Sequence, residues 1–231
     1  MDVLYEDAQL LVVRKPAGTL AQPDHTGDPD VLTLGKQHLS TGSGEPFLGL
    51  VHRLDRPTSG LMVLARTTDA ARRLSEQFRE RTAQKQYLVL VDGVLRGIGT
   101  WVDYIAKPDR QPMIVGPDHA EGKRAELDWQ ALHREDGRTL LLIQLHTGRP
   151  HQIRLQAAER GTPVVGDTRY GGPAIAADGG IALHHAILRV EHPSGPQRKT
   201  FVDGLPAHWT PLLSDDMRAA AGRVLARARP A

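Results

Sequence analysis

The stretch Val51-His52-Arg53-Leu54-Asp55-Arg56-Pro57-Thr58-Ser59-Gly60 runs directly into the apolar segment Leu61-Met62-Val63-Leu64-Ala65. A short apolar run that follows a glycine is typical of a strand covered on both faces of a sheet. Pro57 favours an extended conformation at the preceding residue, and Gly60 permits a turn, so the polar residues form a loop. The stretch therefore predicts a polar loop that leads into a buried strand.

Asp55 is the candidate chemical group of this loop. It lies between Arg53 and Arg56, and nearby positive charge favours the ionised form of a carboxyl group. An ionised, positioned aspartate can act as a nucleophile, a general base or a metal ligand. A structural salt bridge that caps the loop explains the spacing equally well, because ion-pair networks also hold carboxylates.

A second polar cluster occupies residues 146–154, with the sequence HTGRPHQIR. A strand is predicted to end here, and Pro150 is predicted to lie in the first turn of a helix that ends near Arg160. Helix N-termini favour phosphate or carboxylate groups. Arg154 lies about one turn after Pro150, so its guanidinium could face Asp55 and bind a carboxylate in a bidentate manner. In the alternative interpretation, Arg149 and Arg154 are solvated helix residues.

Lys85 and Tyr87 lie two residues apart on a predicted strand, residues 85–91, and therefore point to one face. A tyrosine there can stack on a base or use its hydroxyl, although an ordinary half-buried tyrosine is the commoner case. No recognised metal-ligand spacing joins the histidines, so no metal site is predicted, and structural or RNA-facing roles are favoured for His146, His151, His184 and His185.

The remaining patterns predict one α+β domain over residues 1–231, with a mixed, largely antiparallel sheet and flanking helices. Hairpins are predicted for residues 3–14 and, around Asp136-Gly137, for residues 125–145. Helices are predicted for residues 68–81 and 214–227, and a surface loop for residues 171–180.

Composition excludes several classes of site. The chain has 29 Lys and Arg against 27 Asp and Glu, so charge that binds RNA must be concentrated on one face. The absence of cysteine excludes disulfides, thiolate metal sites and cysteine nucleophiles. Neither a secretory signal nor an apolar run of membrane-spanning length is evident, so a cytoplasmic protein is expected, with a monomer as the default.

His52-Arg53-Leu54-Asp55 followed by Thr58-Ser59-Gly60-Leu61 resembles the signature of the RluA family of pseudouridine synthases. Other matching segments follow the family's order: Tyr5-Glu6-Asp7 through Lys15-Pro16-Ala17-Gly18, Lys85-Gln86-Tyr87, Thr147 through Arg154, Gly166-Asp167 and Tyr170-Gly171. Together they span about residues 3–195, the expected core, which precedes a helical tail of about 209–231. No N-terminal S4-like domain is expected.

The resemblance implies the pseudouridine synthase fold, with a central catalytic cleft and neither cofactor nor metal. It implies that Asp55 is the nucleophile, that Tyr87 packs on the target base and that Arg154 pairs with Asp55. The arginine that matches Arg53 helps to displace the target nucleotide from the stack of a tRNA or rRNA. The other expected RNA contacts are His52, Arg56, Lys85, Arg149 and His151.

Two other functions remain open from the sequence. A non-catalytic RNA-binding module on the same scaffold would more plausibly have lost Asp55, Tyr87 or Arg154. A glycosidase or other hydrolase normally needs a second carboxylate as acid/base, and the matched motifs suggest no such partner for Asp55. Attack by Asp55 at C1′ of the ribose or at C6 of uracil also remains open.

Overall fold

The computed structural model describes residues 1–40, 42, 44–175 and 180–229. Strands in this part of the chain are β1 (Asp2–Glu6), β2 (Leu10–Lys15), β3 (Gly49–Leu50), β4 (Ser59–Ala65), β5 (Gln84–Asp92), β6 (Ile98–Ala106), β7 (Met113–Val115), β8 (Lys123–Glu135), β9 (Arg138–Leu145), β10 (Leu183–Glu191) and β11 (Arg198–Val202). The α-helices are α1 (Val31–Leu39), α2 (Thr68–Glu80), α3 (Gln152–Glu159) and α4 (Asp215–Ala228). Short 3-10 helices occupy Pro108–Arg110, Thr168–Tyr170 and Ala207–Leu212.

All of these strands belong to one sheet. Its order is β1-β2-β4-β10-β5-β9-β8-β6-β7, with β3 beside β4 and β11 beside β10. The pairing of β4 with β10 is parallel, whereas the other pairs of described strands are antiparallel. The predicted mixed, largely antiparallel sheet is therefore confirmed.

Strand β4 is buried on both faces, as its continuous apolar sequence predicts. Leu61 and Val63 pack in a cluster with Ala70 and Leu74 of α2. The alternate residues of β4 belong to the larger core on the opposite face. Helix α2 begins where predicted, because the side chain of Thr67 accepts a hydrogen bond from the third residue beyond it.

Some boundaries differ from the prediction. Helix α3 begins at Gln152, so Pro150 precedes its first turn instead of lying in it, because His151 has a left-handed backbone with φ of 52°. Strands β3, β6, β7 and β11 are also missing from the prediction. Strand β6 lies near the edge of the sheet, where Ile98 is 77% exposed, so its residues lack a clean apolar alternation.

Residues beyond the predicted core boundary near residue 195 also contribute to the hydrophobic core. Strand β11 extends the sheet, and Trp209 is completely buried in the main core together with Met217 and Leu225 of α4. The chain beyond 195 thus completes the core. Residues 176–179 of the predicted 171–180 loop and residues 230–231 of the predicted tail lie outside the described residues. None of the helices seen has the length and apolar character that a membrane crossing requires.

Gly60 allows β4 and β10 to approach each other closely. Its φ is +118°, and a Cβ atom there would lie 2.4 Å from the carbonyl oxygen of His185. We expect Gly60→Ala to lower the free energy of unfolding by about 3 kcal/mol, because backbone strain adds to a backbone clash. Urea melts of Gly27→Ala provide the control, since Gly27 has φ of +74° but nothing within 4 Å. Equal losses in the two variants would contradict the close approach.

A buried network joins β4, β10 and the segment after β11. The Nδ1 atom of His184 lies 2.8 Å from the hydroxyl of Ser59, and its Nε2 atom lies 3.3 Å from the carboxylate of Asp203. Arg14 also donates from Nε to Asp203 at 2.9 Å. Burial disfavours the charge of Asp203, but the contacts with His184 and Arg14 outweigh it and lower its pKa to about 2.

This network is expected to make the fold sensitive to acid. A carboxyl group whose pKa is lower in the folded state stabilises the fold above its unfolded pKa of about 4, and that stabilisation is lost as the pH falls toward 2. Between pH 4 and pH 2, the stability of Asp203→Asn should therefore decline less steeply than that of the wild type. Urea melts at several pH values measure this difference, and identical slopes would show that Asp203 contributes nothing to it.

Candidate active site

A cleft of about 910 Å³ opens where the loop before β4, the end of α2, the start of β5 and the β9–α3 connection meet. Asp55 is the one acidic side chain in the described lining of this cleft. The lining also contains nine basic side chains: Arg53, Arg56, Arg79, Arg81, Lys85, Lys107, Arg149, Arg154 and Arg169. A chain of nearly balanced charge thus concentrates positive charge around a single carboxylate.

The sheet register brings the predicted residues together. Gly60 of β4 lies opposite His185 of β10, and His185 lies opposite Tyr87 of β5. The Asp55 loop, which immediately precedes β4, therefore lies next to the beginning of β5. Because β9 pairs with β5 and then leads into α3, Arg154 reaches the same cleft.

A buried lysine holds the base of the Asp55 loop. The Nζ atom of Lys15 donates to the carbonyl oxygens of Pro16 at 3.1 Å, Thr19 at 2.7 Å and Arg56 at 3.0 Å. Burial lowers the pKa of Lys15 to about 7, against the opposing attraction of Asp55. Three hydrogen bonds at one buried nitrogen fix the loop to the end of β2.

Asp55 is partly accessible and faces the side chains of Arg154 and His151. Its side chain is 28% exposed, and its Oδ2 atom lies 3.3 Å from Nη1 of Arg154. The predicted contact between Arg154 and Asp55 is therefore present. The Nε2 atom of His151 lies 4.0 Å from the same oxygen. Burial is the main cause that lowers the pKa of His151, although Asp55 opposes it.

The bidentate partner of Arg154 is Asp167, which corrects the prediction that a bidentate guanidinium would face Asp55. Nε and Nη2 of Arg154 donate to the two oxygens of Asp167 at 2.6 and 2.9 Å. The two side chains are 5% and 2% exposed. The guanidinium also lies 5.0 Å from the ring centre of Tyr170. Asp167 and Tyr170 thus hold the guanidinium of Arg154 in place, and its Nη1 atom donates to Asp55.

Tyr87 forms the floor beside Asp55 and is only 6% exposed. Its ring stacks on His185 with 4.6 Å between centroids and 18° between planes. Burial, and then the charge of Asp55, raise the pKa of Tyr87, so its hydroxyl stays protonated and can donate a hydrogen bond. Lys85 lines the same cleft, as the strand alternation predicts.

Two of the predicted RNA contacts have partners inside the protein. The Nε2 atom of His52 accepts a hydrogen bond from the backbone N–H of Val63 at 3.0 Å, and its ring stacks on Phe78. His52 therefore helps to position the loop while it also lines the cleft, and its role as an RNA contact stays a prediction. Arg56 donates from Nε to the Gly18 carbonyl at 2.9 Å and pairs with an exposed carboxylate, that of Asp28.

The other predicted contacts line the cleft more openly. Arg53 is exposed at the cleft, and no carboxylate in the described chain pairs with it. Arg149 is half-buried and donates from Nε to the carbonyl of Arg124 at 3.0 Å. Nδ1 of His151 lies 2.7 Å from the Tyr170 hydroxyl. Asp167 and Tyr170 are the functional residues that sequence reasoning missed, although both belong to matched segments.

Residues 9–159, more than half of the chain, match the family model described as RNA pseudouridylate synthase. The chain belongs to this family. It is 36% identical over 223 residues to an uncharacterized RNA pseudouridine synthase of Synechocystis sp., covering 92% of this chain and 68% of that protein. It is 34% identical to the ribosomal large subunit pseudouridine synthase D of Pseudomonas aeruginosa, covering 93% of this chain and 71% of that protein.

Solved structures show the same fold. The human RNA pseudouridylate synthase domain containing 4 superposes with a TM-score of 0.75 at 24% identity, covering 96% of this chain and 93% of that chain. The human RNA pseudouridylate synthase domain containing 1 superposes with a TM-score of 0.72 at 25% identity, covering 93% of this chain and 86% of that chain. Family membership confirms the resemblance to pseudouridine synthases. The chain is therefore an isomerase whose substrate is RNA.

Proposed function

We propose that the chain isomerises a uridine in structured tRNA or rRNA to pseudouridine, with Asp55 as the nucleophile. The observation that carries this proposal is the partly exposed carboxylate of Asp55 in a cleft otherwise rich in basic side chains. Several relatives are named for the large ribosomal subunit, so the large-subunit rRNA is the first substrate to test.

The reaction breaks the bond between N1 of uracil and C1′, rotates the base and joins C5 to C1′. The C5 hydrogen leaves as a proton and N1, now released from C1′, gains a proton, so the mass of the RNA is unchanged. The target base must first leave its stack, at a cost of a few kcal/mol that binding has to offset. The exposed Arg53 can fill the position that the base leaves in the stack, and the ring of Tyr87 can pack against the extruded base.

Asp55 then attacks either C1′ or C6, and both routes need an ionised, oriented carboxylate. Arg154 meets this need because Asp167 and Tyr170 already fix its guanidinium before RNA binds. The oxygens of Asp167 are both engaged and buried, which leaves it unsuited to the acid/base role that a hydrolase requires. No observation favours the non-catalytic alternative, because all three key residues meet in the cleft.

We further propose that residues 1–231 act as one catalytic domain that needs neither cofactor nor metal. The sheet and the main core, which run from β1 to α4, support this proposal. In the described part of the chain, no three potential ligand residues are grouped to hold a metal ion. The monomeric state and the cytoplasmic location remain predictions.

A pseudouridine map of rRNA and tRNA from cells with and without this protein tests the proposal. We expect one site, or a small number of sites, to lose pseudouridine when the protein is absent. The wild-type protein should restore these sites, whereas Asp55→Asn should not. A map that does not change in either RNA class would contradict the proposed function.

A further inference from the structure

We propose that Arg81, Lys85 and Arg149 form a subsite for one phosphate group of the RNA backbone, on the wall of the cleft beside Asp55. The inference rests on the proposed function, because RNA supplies the phosphate. It assigns a role to Arg81, which the sequence motifs do not include, and gives Lys85 and Arg149 a shared ligand.

The three cations come from separate elements that the fold brings to one wall. Arg81 ends α2, and Lys85 follows at the start of β5. Lys85 pairs with Leu145 at the end of β9, and the chain then turns through Gly148 to Arg149. A Cβ atom on Gly148 would lie 3.5 Å from Nζ of Lys85, so this ammonium lies against the turn that carries Arg149. All three cations line the cleft.

The three subsite cations lack the carboxylate partners that the arginines within α2 have. Arg72 and Arg73 pair with Asp69 at 2.8 Å, and Arg79 pairs with Glu76 at 3.3 Å. Within the residues that the structure describes, no carboxylate lies within 4.0 Å of the three subsite cations. The subsite therefore has positive charge without a protein counterion.

Mutual repulsion makes this cluster unfavourable in the free protein. Burial, and then the charge of Arg81, lower the pKa of Lys85 to about 8. The same two causes lower the pKa of Arg149. A bound phosphate would relieve this repulsion and accept charge-assisted hydrogen bonds from all three groups.

The backbone of Arg81 supports a role for its side chain. Arg81 has φ of 63° and ψ of 25°, a left-handed conformation at the end of α2. Glycine is the usual residue at such a position because it adopts positive φ without strain. Arg81 adopts this conformation with a strain that glycine would not incur, and its guanidinium lines the cleft, which is consistent with a function for the side chain.

Binding of a uridine-containing RNA hairpin, measured against salt concentration, tests the subsite. The Asp55→Asn protein serves as the background, so that the RNA is not converted during titration. We expect Arg81→Ala to weaken binding several-fold and to reduce the slope of log affinity against log salt by about one. Arg72→Ala removes the same charge from the outer face of α2 and should leave both quantities unchanged. Equal effects of the two substitutions would overturn the proposal.

A scan with neutral methylphosphonate linkages locates the phosphate. One linkage should weaken binding to the protein that retains Arg81, whereas the same linkage should have little further effect on Arg81→Ala. Independent, additive losses at every linkage would overturn the shared subsite. Failure of the wild type to modify any rRNA or tRNA would instead contradict the proposed function, so the two failures remain distinguishable.

Proton linkage gives a second readout. Phosphate binding favours the charged form of Lys85, so affinity should fall by up to tenfold per pH unit above pH 8. The charged neighbours of Lys85 are Arg81 and Arg149. His52 and His185 also lie near Lys85, and their lowered pKa values keep them neutral. Lys85→Arg should remove this decline in affinity. Lys15 also titrates in this pH range, but it is present in both proteins, so its contribution is the same in each. A decline that is the same in both proteins would exclude Lys85 from the subsite.

Discussion

Asp55→Asn is expected to lower pseudouridine formation by about 10⁴-fold or more, because an amide lacks the charge and nucleophilicity of a carboxylate. The isosteric change should leave RNA affinity and the free energy of unfolding nearly unchanged. Asp55 is 28% exposed, and its contact with Arg154 is the lesser of the two carboxylate contacts that this arginine makes. Single-turnover conversion of a modified RNA site measures the loss.

The matched control is Asp69→Asn, which removes an exposed carboxylate from α2 and should retain full activity. Turnover of Asp55→Asn close to that of the control would remove Asp55 from the mechanism. A large loss of stability in Asp55→Asn would instead indicate that Asp55 serves as a structural salt bridge of the loop.

Arg154→Ala is expected to abolish activity and to lower the free energy of unfolding by about 3–5 kcal/mol. The loss of stability arises because the carboxyl group of Asp167, which is 2% exposed, would be left buried without its guanidinium partner. Activity is lost because Asp55 loses its nearest guanidinium. Urea melts and single-turnover assays measure the two effects separately.

A double-mutant cycle identifies the buried partner of Arg154. Combining Arg154→Ala with Asp167→Asn should cost less than the sum of the single changes, since the uncompensated charge is removed. Combining Arg154→Ala with Asp55→Asn should be nearly additive in stability. Strong coupling in stability to Asp55 and none to Asp167 would contradict the observed geometry.

The sequence predicts the parts of the site that depend on local patterns. The apolar run after Gly60 predicts a strand buried on both faces, and the alternation of Lys85 and Tyr87 correctly places both at one cleft. The polar loop around Asp55 could be located because a buried strand follows it directly. The resemblance to a family then suggests roles that spacing alone leaves open.

Other features depend on contacts between distant residues, which local patterns do not encode. Asp167 lies 13 residues after Arg154, beyond the end of α3, so no helical or strand period links them. The bond from the Val63 N–H to His52 depends on how the loop folds back on β4. Trp209 is fully buried although the sequence places it at the start of the predicted tail.

Release of tritium from RNA that carries uridine labelled at C5 tests the central role of this cleft most directly. Formation of the C5–C1′ bond expels the C5 hydrogen. We therefore expect the wild-type protein to release tritium into water, with no free uracil and no change in RNA length, and Asp55→Asn to release none. Free uracil, or the absence of tritium release from both rRNA and tRNA at stoichiometric enzyme, would contradict isomerisation at Asp55.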